Sequence, residues 1–590
     1  MTKNLAGVFP KSHSRRNCTP LSMNFFFPLR NRRYFLAIIL LTSGFLLFSD
    51  PAHSASATWS ATPTNSNWVA SASEINWSTG AGTFPGSTSS LNNGDTATFT
   101  GASTTLGITI NAVGLNIKNI TFSGSAEPAY SIGSASGNSL LLTSGGSISI
   151  ASITTGANTT NSVNAPLILE PASASTAGTY TFSSASGTIG HPLVIGGGVT
   201  GGTTTQGIAL TLTGANTGLN TASGIIGDGG AAGGLSISKN SSGTWILSGA
   251  NTYTGGTTLL ATNTGILRLS GAGTLGSISG SLTINGGILD LNGTNQSVGA
   301  LNGSGGTILN EAASVLGGPK TLTIGNGNTS GSFSGTITDH DGNGSGFVKL
   351  VKSGTGTENM TSITSNYTGG TDINGGVLLS NSSNGGALGR GPITVNNTGT
   401  LGGSGVIDSA ATITVKSGGT LAPGATFSPT TVAKLNTGAI DLQSSSRFVL
   451  ELNAGAGPTG VGAGTLYDEV SVTGTVTLGG GNLTINPGPG LQVLDKFFIV
   501  LNDGTDFVSG TFNGLSNLST FTDGSDTFLI NYTDIGGTGL DLTPNDISLT
   551  VVGIPEPNTW IAGALALGAI VCAQRKRIAA MLAASREAGR

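Results

Sequence analysis

The chain has 590 residues, of which 97 are Gly and only 8% are charged. Because Gly inside a helix costs about 1 kcal/mol relative to Ala, this composition disfavours long helices. Collagen is excluded because no strict Gly-X-Y period is present, and a disordered chain is disfavoured because 37% of the residues are hydrophobic. The composition therefore predicts a large all-β protein of short strands and tight turns.

The formal net charge of −4 averages three unlike segments. Residues 1–57 carry +6, residues 58–554 carry −13 and residues 555–590 carry +3. Nucleic-acid binding requires a basic patch with aromatic platforms, and the acidic middle segment has neither. We therefore expect no nucleic-acid partner.

The first 57 residues have the order of a secretory signal peptide. Basic residues at 30–33 precede an apolar run over 34–48, and small residues follow at 51–57. The expected cleavage site is the A-x-A motif formed by Ala55 and Ala57, with residues 52–54 as the alternative. Residues 1–57 are thus predicted to be a leader, with Met1 or Met23 as the start and with the export machinery and signal peptidase as partners. A twin-arginine signal and a membrane helix are the alternatives.

The segment 58–139 is predicted to cap the first exposed strands. It contains Trp59, Trp68 and Trp77, three of the five tryptophans in the chain. Clustered aromatics with few charges suit the end of a stacked β structure, which needs a cover. Sugar stacking on the indole rings is the alternative function of this cluster.

Residues 140–429 show short alternating strands and an internal repeat. The segment 251–257 reads N-T-Y-T-G-G-T and the segment 366–371 reads N-Y-T-G-G-T, with one residue fewer before the tyrosine. Lys239 and Lys352 precede the two copies at nearly equal spacing. Because a single unit cannot bury its apolar face alone, the repeat predicts stacking into a parallel β-helix, or β-solenoid, rather than a β-sandwich.

These copies resemble autotransporter-associated β-strand repeats, and the resemblance is clearest over 234–425. It implies an all-β solenoid that acts outside the cell. A conventional autotransporter is disfavoured because such a chain would end in amphipathic membrane strands. Residues 430–553 are richer in apolar strands and are predicted to be closing rungs or a small β cap.

The segment 554–577 is predicted to be a sorting signal, followed by a cytoplasmic tail at 578–590. The triplet Pro555-Glu556-Pro557 precedes an apolar run over 560–573 and the basic cluster Arg575-Lys576-Arg577. This order resembles a PEP-CTERM signal, which implies an exosortase as partner and a short transmembrane helix that holds the chain transiently in the inner membrane of a Gram-negative bacterium. A plain C-terminal anchor is the alternative.

Chemistry-bearing clusters are sparse in the middle segment. The sequence D-H-D-G-N-G at 339–344 has oxygen donors around Gly. The carboxylate expected at the twelfth position, counted from Asp339 as the first, is replaced by Leu350, so a solvated turn is favoured over a weak calcium site. Asp468 and Glu469 are adjacent, and adjacent residues of a strand point to opposite faces, which favours a structural role over a glycosidase pair. We expect no catalytic residue, no metal and no cofactor.

These observations predict an exported, non-enzymatic surface or matrix protein that acts in adhesion, biofilm or exopolysaccharide association. Polysaccharide is its expected ligand class, and glycosylation of the Ser/Thr-rich middle segment is left open. The alternative is a β-helix polysaccharide lyase or glycoside hydrolase. Such an enzyme needs clustered Asp with Arg or Lys, and the middle segment has only 11 basic residues.

Overall fold

The computed structural model describes residues 53–101, 103–124, 128–152, 159–186, 190–313, 318–424, 432–453, 455–523, 526–536, 543–553 and 559–588. All of them belong to one compact unit, Asp50–Arg590. Within these ranges the chain forms five large sheets, one two-stranded pair, one 3₁₀ turn and one α-helix.

The strands are short and return to the same sheets again and again. The 13-stranded sheet contains Ala57–Thr58, Thr96–Phe99, Leu115–Phe122, Leu140–Ile150, Leu167–Glu170, Gly178–Ser184, Val199–Gly201, Ile208–Thr213, Ile226–Gly227, Leu235–Lys239, Thr257–Leu259, Leu282–Ile284 and Leu301–Asn302. The 10-stranded sheet contains Gly107–Ile108, Ser131–Ile132, Asn161–Val163, Leu193–Ile195, Asn220–Ala222, Thr244–Leu247, Ile266–Leu269, Ile288–Asp290, Thr307–Leu309 and Thr336–Ile337.

Three further sheets continue the same pattern. The nine-stranded sheet contains Gln296–Ser297, Lys320–Ile324, Val348–Lys352, Thr371–Ile373, Ile393–Val395, Ile413–Val415, Ile440–Leu442, Val476–Gly479 and Ser509–Thr511. The seven-stranded sheet contains Gly331–Phe333, Thr357–Met360, Gly376–Ser380, Gly399–Gly403, Thr420–Pro423, Arg447–Leu452 and Asn482–Pro487. The six-stranded sheet contains Lys434–Thr437, Glu469–Val472, Lys496–Asn502, Thr520–Asp523, Asp526–Asp534 and Asp546–Gly553. The remaining elements are the pair His53–Ser54 and Phe84–Pro85, the 3₁₀ turn Asn326–Asn328 and the α-helix Thr559–Glu587.

Successive turns of the chain stack in parallel. Ile237 pairs with Thr257, and Thr257 pairs with Leu282, so these turns advance the chain by 20 and 25 residues. Toward the N-terminus the turns are longer, since Thr181 pairs with both Ser147 and Thr211. Parallel strands that recur at this spacing and bury one face form a β-solenoid, as the repeats predicted.

The core is a set of ladders formed by alternate residues of the strands. Leu212, Lys239, Leu259 and Ile284 are in register on four successive rungs, and all four are fully buried. Because successive side chains of a strand point to opposite faces, the intervening residues face outward. The inward-facing side chains of this ladder are therefore apolar on three rungs, and the remaining rung carries Lys239.

The two ends of the described solenoid are built differently. At the N-terminal end Trp59, Trp68 and Trp77 are at most 2% exposed, and their ring centroids lie 5.0 Å apart in the Trp59–Trp77 and Trp68–Trp77 pairs. Sugar stacking needs an exposed ring face, so their position favours packing over that alternative. At the C-terminal end the strands Lys496–Asn502 and Asp546–Gly553 pair antiparallel, which interrupts the parallel stacking.

The expected membrane-spanning segment is not found among the described residues. The α-helix Thr559–Glu587 does not stop at the predicted basic cluster but continues through Arg575, Lys576 and Arg577. Its apolar run over 560–573 falls short of the roughly 20 residues that cross a bilayer. In the described part of the chain, no helix is long and apolar enough to span a membrane.

Candidate functional site

The residues predicted to direct processing are only partly described. Pro555, Glu556 and Pro557 lie outside the described residues, whereas Arg575, Lys576 and Arg577 are exposed on the α-helix. Their sorting role remains a prediction.

The predicted cleavage residues lie at the start of the described solenoid. Ala55 is exposed, whereas Ala57 is 5% exposed and pairs in parallel with Ala97. The hydroxyl of Ser56 accepts a hydrogen bond from the backbone N–H of Thr96 at 2.9 Å. Cleavage at this motif also remains a prediction.

The tyrosine of each repeat copy is buried in the core, where its hydroxyl group is hydrogen-bonded to a threonine. The Tyr253 hydroxyl is hydrogen-bonded to the Thr257 hydroxyl at 2.6 Å, and the Tyr367 hydroxyl to that of Thr371 at 2.7 Å. All four residues are at most 1% exposed. Burial raises the pKa of both tyrosines, so both phenols remain neutral hydrogen-bonding groups. The Y-x-G-x-T spacing of the repeat is therefore the spacing of one satisfied polar pair in the core.

The second glycine of the T-G-G-T segment is required by backbone geometry. Gly256 has φ 82° and Gly370 has φ 88°, in the left-handed region that side chains disfavour. A Cβ on Gly256 would lie 2.6 Å from the carbonyl oxygen of Ser281, and one on Gly370 would lie 2.8 Å from that of Pro392. Each glycine thus allows its rung to approach the next.

The lysine of each copy is fully buried, and its ammonium group binds carbonyl groups of the residues that directly follow its strand. The Lys239 ammonium donates to the backbone carbonyls of Asn240 at 2.7 Å and Ser241 at 3.0 Å, and to the Asn263 side-chain oxygen at 3.0 Å. Burial lowers the pKa of Lys239 to about 8. The spacing in the sequence indicated that this lysine is part of the repeat. The sequence did not predict its burial, because a charged side chain is normally exposed.

In the second copy, Lys352 makes the corresponding contacts with backbone alone. Its ammonium donates to the carbonyls of Ser353 at 2.7 Å, Gly354 at 3.3 Å and Gly375 at 3.3 Å. Burial lowers the pKa of Lys352, while the nearby Glu358 acts in the opposite direction. Glu358 is itself fully buried, and burial raises its pKa to about 8.

The missing residue in the second copy is compensated by a neighbour. In the first copy the Asn251 side-chain oxygen accepts the Ile226 N–H at 2.9 Å, and its amide donates to the Thr274 carbonyl at 2.8 Å. In the second copy the Ser365 hydroxyl accepts the Ile337 N–H at 2.9 Å. Ser365 therefore holds the position that the repeat pattern assigns to asparagine.

Asp468 and Glu469 hold strands together, in agreement with a structural role. The Asp468 carboxylate accepts the backbone N–H of Ala433 at 2.5 Å and of Glu451 at 2.9 Å. Glu469 forms an ion pair with Lys434 at 2.7 Å. Burial, reinforced by the Glu451 carboxylate, raises the pKa of Asp468 to about 9.

The cluster at 339–344 is also engaged in a turn. The Asp339 carboxylate accepts the backbone N–H groups of Val348 at 2.9 Å and Thr368 at 3.1 Å, and the Thr368 hydroxyl at 2.7 Å. Asp228 accepts the corresponding Leu235 and Thr254 N–H groups in the first copy, at 2.7 and 3.0 Å. This aspartate therefore belongs to the repeat. Within the described ranges, no group of three or more His, Cys, Asp or Glu is placed to hold a metal ion.

Two ion pairs of the described solenoid join residues of neighbouring turns. Arg268 contacts Asp290 at 2.6 Å, and Lys349 contacts Asp372 at 2.7 Å. Each of these two pairs therefore links neighbouring rungs through one basic and one acidic side chain.

Both repeat copies match a known protein family. Residues 237–261 and 350–379 match the family Passenger-associated-transport-repeat. Over 83 residues the chain is 46% identical to the adhesin BmaC autotransporter of Brucella suis biovar 1 (strain 1330). That alignment covers 14% of this chain and 2% of the adhesin. These similarities support the resemblance to autotransporter-associated repeats.

Proposed function

We propose that this chain is an exported, surface-exposed protein of a Gram-negative bacterium that acts in adhesion without catalysing a reaction. The observation that carries the proposal is that each of the two segments matching the passenger repeat family contributes two parallel, adjacent strands to the β-solenoid. A solenoid presents many similar outward positions, and many weak contacts can together give strong attachment.

The buried ionisable groups support a structural use of the polar residues. Hydrogen bonds to backbone groups inside the solenoid are made by the side chains of Lys239, Lys352 and Asp468. An enzyme would instead need such groups in an open cleft, where they can contact a substrate. The contacts of these three residues therefore do not favour the lyase or hydrolase alternative.

The adhesion proposal is tested by displaying the chain on a non-adherent Gram-negative host and counting cells that attach to abiotic surfaces and to one another. A chain with the buried corner broken by Tyr253→Asp is the control for correct folding, since charge burial at this site disrupts the core. Increased attachment by the intact chain supports the proposal. Equal attachment by cells with and without the chain contradicts it.

The sorting part of the proposal rests on the Pro555-Glu556-Pro557 triplet, the apolar run and the basic cluster. In a host with an exosortase, deletion of 555–557 should reduce the amount of protein that reaches the cell surface, whereas the intact chain is delivered there. The matched control deletes three residues of the tail, 580–582. Unchanged surface delivery after the triplet deletion would contradict exosortase sorting and leave the adhesion proposal standing.

A further inference from the structure

One outward row of the solenoid consists of uncharged hydroxyl side chains. Thr181 pairs with Thr211, Thr211 with Ser238, Ser238 with Thr258, and Thr258 with Thr283. We call these five residues the hydroxyl row. Since neighbouring strands lie about 4.8 Å apart, the row presents one hydroxyl per rung over about 19 Å.

The row is accessible and its hydroxyl groups are available. All five residues are partly exposed, and they alternate with fully buried neighbours such as Phe182, Leu212 and Ile237. Within the described part of the chain, none of the five side chains makes a hydrogen bond to another protein group. Each hydroxyl can both donate and accept a hydrogen bond to an external partner.

The strands that carry the row contain almost no charge. In the five strands Gly178–Ser184, Ile208–Thr213, Leu235–Lys239, Thr257–Leu259 and Leu282–Ile284 the one charged residue is Lys239, which is fully buried. The corresponding outward row of the nine-stranded sheet is different. There Thr323 is in register with Val351, which is followed by Asp372 and then Thr394.

We propose that the hydroxyl row binds an uncharged polysaccharide that lies along the stack of rungs. An extended polymer with hydroxyl groups at regular intervals can meet one protein hydroxyl on each rung. A polyanion is disfavoured because residues 58–554 carry a net charge of −13 and the row offers no cation. This inference rests on the proposed adhesive function and names its ligand class.

The test uses the full chain and pull-down on insoluble particles of cellulose and curdlan, which are uncharged glucans, and on the acidic polysaccharide alginate in calcium beads. The first variant combines Thr181→Val, Thr211→Val, Thr258→Val and Thr283→Val, which removes hydroxyls and keeps β-branched shape. The matched control combines Thr323→Val, Thr394→Val, Thr414→Val and Thr477→Val, at outward positions of the nine-stranded sheet. Circular dichroism and melting confirm that both variants fold.

The intact chain and the control variant should bind at least one uncharged glucan equally well at 50 and 500 mM salt, and the row variant should bind about tenfold or more weakly. Preference for alginate, failure to bind either glucan, or an equal loss in both variants would overturn the inference. Cell attachment by the intact chain without glucan binding would overturn only this inference. Glucan binding without cell attachment would contradict only the adhesive function.

Discussion

The two repeat copies follow the same corner geometry but fill it with different side chains. Both bury a Tyr–Thr pair and a lysine. Six residues after the lysine, however, the first copy buries Trp245 and the second buries Glu358. The Tyr–Thr pair and the lysine are therefore common to both copies, whereas the strand position six residues after the lysine accepts either an indole or a carboxyl group.

The lysine contacts show the same division. Lys239 uses a side-chain oxygen of Asn263, whereas Lys352 uses the carbonyl of Gly375 on the next rung. The number of acceptors is preserved although the acceptor type changes. A buried ammonium group requires hydrogen-bond acceptors, and either a backbone carbonyl oxygen or the side-chain oxygen of an asparagine meets that requirement.

The largest expected effect on stability is at Trp245 in the first copy. Trp245→Ala should lower the free energy of unfolding by about 3–5 kcal/mol, since it removes a fully buried indole and the hydrogen bond from its Nε1 to the Thr213 carbonyl. Chemical denaturation, with hydrogen exchange of the strand Thr244–Leu247 as a local probe, measures it. A loss below about 1 kcal/mol would show that Trp245 is not packed as described.

Between about pH 4.5 and 8, the second copy should instead show a pH dependence from a buried carboxyl group, which the first copy lacks at the corresponding position. Because the folded-state pKa of Glu358 is raised to about 8, the folded chain keeps a proton that the unfolded chain has lost. The free energy of unfolding should therefore fall as pH rises from about 4.5 to about 8, by at most about 1.4 kcal/mol per pH unit.

Glu358→Gln should remove this part of the pH dependence. Hydrogen exchange of Thr357–Met360, corrected for intrinsic rates and compared with Thr244–Leu247 between pH 5 and 8, is the measurement. Asp468→Asn is the control, because Asp468 contributes a slope of the same sign at a different place. Identical pH profiles for the intact chain and Glu358→Gln would contradict the burial of a protonated carboxyl group.

A smaller and equal effect is expected at the two tyrosines. Tyr253→Phe and Tyr367→Phe each remove one buried hydroxyl–hydroxyl bond of nearly equal length, so each should cost about 1 kcal/mol. Thermal melting of the two variants measures it. Costs that differ by more than about 1 kcal/mol would indicate that the two corners are not equivalent.

The smallest effect is expected where the second copy departs from the repeat pattern. Ser365→Asn should restore the amide that Asn251 has in the first copy and should stabilise the chain by about 0.5–1 kcal/mol. The reverse change, Asn251→Ser, should cost a similar amount. Destabilisation by both changes would mean that the second corner has no room for the longer side chain.

The strands and turns could be predicted because their signals are local. Alternation as in Leu282-Thr283-Ile284 gives a half-buried strand, and Gly256 and Gly370 occupy left-handed positions that favour glycine. The burial of Lys239 and Glu358 could not be predicted, because it depends in part on groups that lie far away in the sequence, such as the side-chain oxygen of Asn263 that accepts from Lys239. The hydroxyl row likewise depends on register between strands 20 to 30 residues apart.

The helix at the C-terminus shows the limit of a compositional signal. The apolar run over 560–573 ends at Arg575, which suggested a stop, but basic residues have high helix propensity and the helix continues to Glu587.

The most direct test of the stacked parallel rungs is a series of distances between spin labels along one row of the full chain. With Cys18 and Cys572 replaced by Ser, cysteines for labelling are placed in pairs at Thr283 and, in turn, Thr181, Ser147 or Thr96, which the pairing register places four, five and seven rungs away. At about 4.8 Å per rung, the backbone separations should be about 19, 24 and 34 Å. An increase in this order and of this size supports the solenoid, and distances that do not grow with rung number would contradict it.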